Sequence, residues 1–417
     1  MTPFKAEITL HEQEGLAVLY GEPMIFHCNH YNLFLQRTIE DAGSYIPAAE
    51  ILTRGGVVCT YGMLHRLFET HPHIRDPQHR LRVASTIYGQ LGFGTLDLSG
   101  LPENGGTVVT PLTHYSLGWK EKWGVREQPV DYFTCGFIQA AMAIAYYKTP
   151  GFYRVAQEKC LSMGHSQNEF NVAIDPEMPY VPVSVGTGVT IRDATSRRKG
   201  IPTQVDEAGI TNAVRGIPLE GNADGLIPAF GVYLTRHFAN YYNYITYEAA
   251  RAITNATGEP ELARDLFVEA GHVCAVYTFG GIMESDEWYG LVVPQCQTRE
   301  DWISGMMAVV NALGWGYWTV TELDPGKRMV LRVDGDYESN SYLAMYGKST
   351  RPVSYLVTGG AAGVMNLLYC EDITTKPVLN DDFYDHLRRR DDTFGGVQVK
   401  CRAMGDDWCE VEVTPHS

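Results

Sequence analysis

The stretch "VKCRAMGDDWCEVEV" (residues 399–413) reads as a closing hairpin, two short strands around a glycine turn. A related stretch occurs much earlier: "KCLSMGHSQNEFNV" (159–172) matches "KCRAMGDDWCEVEV" (400–413). Working outward, three more pairs follow in the same order. "PVDYFTCGFIQAAM" (129–142) matches "PVSYLVTGGAAGVM" (352–365), "LGFGTL" (91–96) matches "LGWGYW" (313–318), and "HYNLFL" (30–35) matches "YYNYIT" (241–246). Collinear pairs of this kind point to a duplicated module. Copy one falls within 1–175 and copy two within 229–417. The Pro-, Gly-, Ser- and Thr-rich piece 176–228 is a connector, with one short element and some packing across the copies.

Each copy has one coarse pattern. Helices are expected over 30–42, 60–70, 79–90 and 132–147, and over roughly 236–255 in copy two. Strands are expected at "GTLDLSG" and "GTVVTPLTHY" and in the terminal hairpin, with Gly164 in its turn. Helices packed on an antiparallel sheet, twice over, make the class α+β.

The hairpin and the order of elements resemble the 4-vinyl reductase domain family, whose module also senses phenols in XylR/DmpR-type bacterial activators. The resemblance covers both copies. It implies two tandem domains paired as a pseudo-dimer, an enclosed and largely apolar pocket, and a protein that forms homodimers. Aromatic-sensing members hold a structural zinc through a cysteine upstream of a helix and a Glu-x-x-Cys-x7-Cys run. Carried over, the resemblance puts Ser354, Gln398, Cys401 and Cys409 at those places in copy two. In copy one the places fall to Asp131, Gln157, Cys160 and Asn168. Cys401 and Cys409 are therefore candidate zinc ligands. The Walker-type loop of those activators is missing.

Composition narrows the function. The chain has 417 residues and a formal net charge of −16. Phosphate backbones and acidic membrane surfaces repel such a chain, so neither nucleic acid nor membrane is an expected partner. On sequence alone no apolar run approaches the length of a membrane span, and the first residues carry no signal core. The nine cysteines are scattered and odd in number, which suits reduced thiols and a cytoplasmic location.

The chemistry-bearing stretch is "FHCNHYNLFLQ" (26–36). On a helix, His27 and His30 share a face. With Glu69 they make a two-histidine, one-carboxylate candidate for iron or zinc. The alternative is a polar pocket wall of His27, His30, Tyr31, His114 and Cys135, reading an aromatic ligand. Aligned on the "YN" pairs, Phe238 falls opposite His27 and Tyr241 opposite His30. His114 falls opposite Asp336, Cys135 opposite Thr358, and His165 opposite Asp406. Copy one then looks chemically loaded and copy two structural. The mixed-charge stretch 381–392 reads as a solvated insertion in copy two.

Two functions stay open. The first is a small-molecule binding protein for an aromatic or apolar ligand, metal-dependent or without cofactor. The alternative is a non-haem metalloenzyme, an oxidoreductase or lyase, using His27, His30 and a carboxylate.

Overall fold

The computed structural model describes residues 4–175, 180–183 and 199–416. Strands β1 (Ile8–His11), β2 (Leu16–Leu19) and β3 (Glu22–Cys28) form an antiparallel meander. Helices α1 (Asn29–Asp41), α2 (Ala48–Thr70) and α3 (Pro77–Gln90) follow. Next come β4 (Gly105–Thr110), α4 (His114–Trp123), α5 (Tyr132–Ala145) and the hairpin β5 (Tyr153–Lys159) and β6 (Asn168–Ile174). The connector carries α6 (Glu207–Arg215).

The second half begins with β7 (Ile227–Ala229), β8 (Val232–Phe238) and α7 (Ala239–Thr257). Helix α8 (Pro260–Cys274) runs on through a π-helical turn, Ala275–Phe279, into α9 (Gly280–Glu284). Then come α10 (Asp286–Leu291), α11 (Arg299–Val310), β9 (Tyr317–Asp324), β10 (Arg328–Asp334), α12 (Tyr337–Tyr346), α13 (Tyr355–Met365) and α14 (Asp381–Arg388). The chain closes on β11 (Phe394–Lys400) and β12 (Cys409–Pro415). The fold is α+β, as expected, with antiparallel sheets and packed helices.

Local chemistry sets these elements. Asp76 caps α3 by accepting from the His79 amide, with Pro77 at the first helical position. Thr113 and Ser116 form a capping box on α4. Gly164 and Gly405 turn the two hairpins with φ of +86° and +115°. Helix α2 packs on α5 and α8 on α13 at glycine contacts. A Cβ at Gly136 would lie 2.3 Å from the Thr53 carbonyl oxygen, and one at Gly359 would lie 1.9 Å from that of Val268. Close backbone approach therefore accounts for the Gly-rich start of α13.

Among the described residues the strands form three sheets: β4-β6-β5 from the first half, β11-β12-β10-β9 from the second, and β1-β2-β3-β8-β7 from both. In the shared sheet β3 pairs with β8, and Phe26 faces Arg236. The "LGFG" and "LGWG" turns reach across to this seam. Phe26 donates its amide to Leu313 (3.0 Å) and Arg236 donates its amide to Leu91 (2.9 Å). Gly92 and Gly314 make the approach, with φ of +90° and +91°.

Several expectations need correcting. "GTLDLSG" is not a strand; only Gly94 bridges to Thr113. "GTVVTPLTHY" is a strand only to Thr110, because the Thr113 cap starts a helix. Helix α2 begins at Ala48, well before residue 60. The segment Pro260–Glu284 is long and apolar enough to cross a membrane by length and composition. Most of it is buried inside the fold, as a core helix would be. Part of the 381–392 stretch is also built in, since Tyr384 and Leu387 of α14 are buried.

Candidate functional site

The register of β3 on β8 decides where the opening stretch points. Side chains alternate across the sheet. Ile25, His27, Thr235 and His237 leave from one face, while Phe26 and Arg236 leave from the other. His27 lies against Tyr31 (ring centroids 4.2 Å) and Trp315 (4.6 Å). His237 lies against Tyr241 (4.7 Å) and Phe93 (4.8 Å) in the corresponding way. Tyr242 touches both imidazoles at 4.7 Å.

Hydrogen bonds tie this cluster together. Tyr242 donates its hydroxyl to Asn32 Oδ1 (2.6 Å). The Asn32 amide donates to Thr235 Oγ1 (3.0 Å) and His114 Nε2 (2.9 Å). The Tyr115 hydroxyl meets His237 Nε2 at 3.1 Å. Burial pushes His114 down to about 3 and His27 and His237 well below their ordinary range. A neutral imidazole has one donor and one acceptor. His114 Nε2 accepts from Asn32, so its proton sits on Nδ1, which has no hydrogen-bond partner. His27 Nε2 has none either.

This geometry corrects the metal expectation. His27 lies in strand β3 and His30 in the first turn of α1, so they do not share a helix face. Glu69 projects to solvent beside His65, 3.5 Å away, with its side chain 63% exposed. His27, His30 and Glu69 are not assembled as a set. Among the described residues, no group of three or more His, Cys, Asp or Glu is placed to hold a metal ion.

The pairing of the halves also shifts by one residue. Helices α1 and α7 start at Asn29 and Ala239, so His237, and not Phe238, stands opposite His27. Asn240, not Tyr241, stands opposite His30. Capping residues Thr113 and Asp336 correspond, which sets Tyr337 opposite His114. Matching the "YN" pairs ignored the strand register and caused the slip. Cys135 and Thr358 do sit at like positions of α5 and α13. His165 and Asp406 both accept an equivalent amide, from Cys160 (3.1 Å) and Cys401 (2.8 Å).

The places that the resemblance assigned to zinc come together in each half, with hydrogen-bonding groups. In the first, Asp131 accepts from Thr113 and from Gln157 Nε2 (2.6 Å), and lies 3.8 Å from Cys160 Sγ. Asn168 Nδ2 donates to Ser116 Oγ (2.9 Å). Burial raises Asp131 to about 6 and the Cys160 thiol to about 11. Burial also raises the Cys135 thiol nearby.

In the second half Ser354 donates to Asp336 Oδ2 (2.6 Å), Cys409 Sγ lies 3.3 Å from the same oxygen, and Gln398 Nε2 donates to Ser354 (2.9 Å). The carboxylate has moved from the start of α5 to the cap of α12, and a hydroxyl has moved the other way. A hydrogen bond from Cys409 lowers the Cys401 thiol, and burial raises that of Cys409. The Asp336 oxygens already cap the Glu338 and Ser339 amides (3.3 and 3.0 Å). Four-coordinate zinc does not fit a donor set of two thiols and a carboxylate committed in this way. Asp336→Ala should cost about 2 kcal/mol in urea unfolding, because a cap and two buried hydrogen bonds go together.

His30 belongs to a third place. It lines a groove of about 530 Å3 with Asn29, Glu121, Lys122, Phe230, Val232 and Glu287. Its ring stacks on Tyr277 at 5.3 Å, and its Nδ1 is buried without a partner. Tyr277 comes from the π-helical turn, a device that re-aims side chains and recurs at functional sites. The Tyr277 hydroxyl donates to Asp381 (2.6 Å), Lys122 lies 3.6 Å from Asp381, and the Lys122 ammonium sits 4.0 Å over the Tyr277 ring. The Lys122 side chain is only 9% exposed. Burial takes His30 to about 4 and lowers Lys122, with Asp381 pulling Lys122 back up.

Comparison with known proteins adds little. No protein-family model matches the chain. No curated protein matches it. Among solved structures, the phenol-responsive sensory domain of the transcription activator PoxR, determined with phenol, is similar. Its identity is 15% and its TM-score 0.36, over 50% of this chain and 89% of that one.

Sequence reasoning missed His237, Lys122, Tyr277, Asp381 and Asp336. Only His237 left a signal, the "HF" of "RHFANYY" set against "HC" of "FHCNHYN".

Proposed function

We propose that this protein binds a small, largely apolar molecule in the groove beside His30. One observation supports the reading: a neutral, partnerless imidazole sits at the wall of a groove with a shielded ammonium and apolar neighbours. Ligand sites combine such apolar walls with a few convergent polar groups. His30 reads a hydroxyl or carbonyl, Lys122 stands at the polar end with Glu121 and Glu287, and Phe230 and Val232 cover the body. The halves 1–175 and 229–417 act as two copies of one module, paired through β3 and β8. Their repeated order of helices and hairpin supports this.

Calorimetric titration with phenol and 4-ethylphenol tests the reading. One equivalent should bind, and His30→Ala and Lys122→Met should each weaken binding about tenfold, the worth of one buried hydrogen bond. No binding by either compound, or unchanged affinity in both variants, overturns it.

A further inference from the structure

The opposite face of the β3–β8 seam carries a different chemistry. Phe26 and Arg236 meet there, and the guanidinium lies 4.4 Å over the Phe26 ring. Among the described residues Arg236 has this cation–π contact but no ion pair or side-chain hydrogen bond, and the charge of Glu220 pulls its pKa partly back up. Burial lowers its pKa to about 10. A half-buried guanidinium without an oxygen partner carries part of its desolvation cost uncompensated, and its planar fork matches a carboxylate.

Arg236 lines a cavity of about 250 Å3. Strand β1 supplies Ile8 and Leu10, β3 supplies Met24, and the connector supplies Val214 and Leu219. Three cations, Lys5, Arg215 and Arg236, line it against one carboxylate, Glu220. That balance runs against a chain whose net charge is −16. Two of the cations are engaged: Lys5 pairs with Glu220 at 3.5 Å, and Arg215 donates to the Asn311 carbonyl at 3.2 Å. Arg236 is left.

We infer that this cavity is a binding site for a small organic carboxylate with an apolar tail. The carboxylate meets Arg236 at the seam, and the tail lies along Met24, Leu10 and Leu219. The volume holds about ten to twelve non-hydrogen atoms at interior packing density. Because β1, the connector and both halves each supply a wall, a bound ligand clamps them together. The site is separate from the groove beside His30, and neither reading depends on the other.

Titration of the full chain with octanoate and with octanol decides the matter. Octanoate should bind the wild type and His30→Ala alike. Arg236→Met keeps a long stem over Phe26 and removes the charge. It should weaken octanoate at least about tenfold and change octanol by less than about twofold. Leu10→Glu tests the seat of the tail without touching the seam, since Leu10 is 49% exposed and a carboxylate there faces the apolar chain. It too should weaken octanoate. The inference fails if octanoate does not bind the wild type, binds no better than octanol, or binds both variants unchanged.

Discussion

Gly314→Ala should lower the free energy of unfolding by about 3–5 kcal/mol. Gly92→Ala should cost nearly as much. Both residues have left-handed backbone, at φ of +91° and +90°. Both also press on the seam: a Cβ at Gly314 would lie 2.4 Å from the Met24 carbonyl oxygen, and one at Gly92 would lie 2.7 Å from that of Leu234. These are backbone atoms of paired strands, so nothing flexible can give way. Retreat of either turn breaks the amide bonds from Phe26 to Leu313 and from Arg236 to Leu91. It would also pull Trp315 from His27, along with its indole bond to the Phe26 carbonyl (2.8 Å). Gly100 supplies the control. Its φ is +90°, and its Cβ would meet nothing within 4 Å. Gly100→Ala should therefore show only the conformational penalty, about 1–2 kcal/mol. Guanidinium unfolding of the three variants separates the two effects. If Gly314→Ala costs no more than Gly100→Ala, the turns are not docked as described.

The aromatic-glycine turns were legible in sequence because their requirement is local: a left-handed residue on each side of an aromatic one. The hairpins were legible for the same reason. What joins the halves was not. The meander β1–β2–β3 and its pairing to β8 depend on residues about 210 apart, and pairing carries no periodic signal. That gap cost the site its register. His27 was read on a helix because His30, three residues on, is on one, whereas the strand runs through Cys28. Once the strand is placed, the asymmetry at His27 goes, since His237 fills the place given to Phe238, while His30 and His114 still stand opposite Asn240 and Tyr337. The polar networks show the same limit. Asp131 and Asp336 look unrelated in sequence, yet each holds the carboxylate of its half, at the start of a different helix.

The buried imidazoles make stability depend on pH, and His114 provides the clearest case. In the unfolded chain its pKa lies near 6.5; in the fold, burial and the charge of His30 hold it near 3. Between these values the unfolded state carries a proton that the native state does not. Its contribution is therefore complete above pH 6.5 and is lost as pH falls toward 3. The wild-type curve alone does not isolate this, because Asp131 and Glu338 act in reverse. Burial raises both, so their share is present at low pH and lost as pH rises through their folded values. The difference between wild type and His114→Gln cancels those carboxylates. At pH 7.5 the substitution should cost about 1–2 kcal/mol, for the bond from Asn32 and the altered packing. At pH 4.5 the wild type has given up about 2.5 kcal/mol that the glutamine form never had, so the cost should vanish or change sign. Urea unfolding of both proteins at four pH values between 4.5 and 7.5 measures it. A cost that stays constant across that range would mean that His114 takes up its proton in the native fold as readily as in the unfolded chain. The burial that holds the His114 ring neutral beside Asn32 would then be wrong.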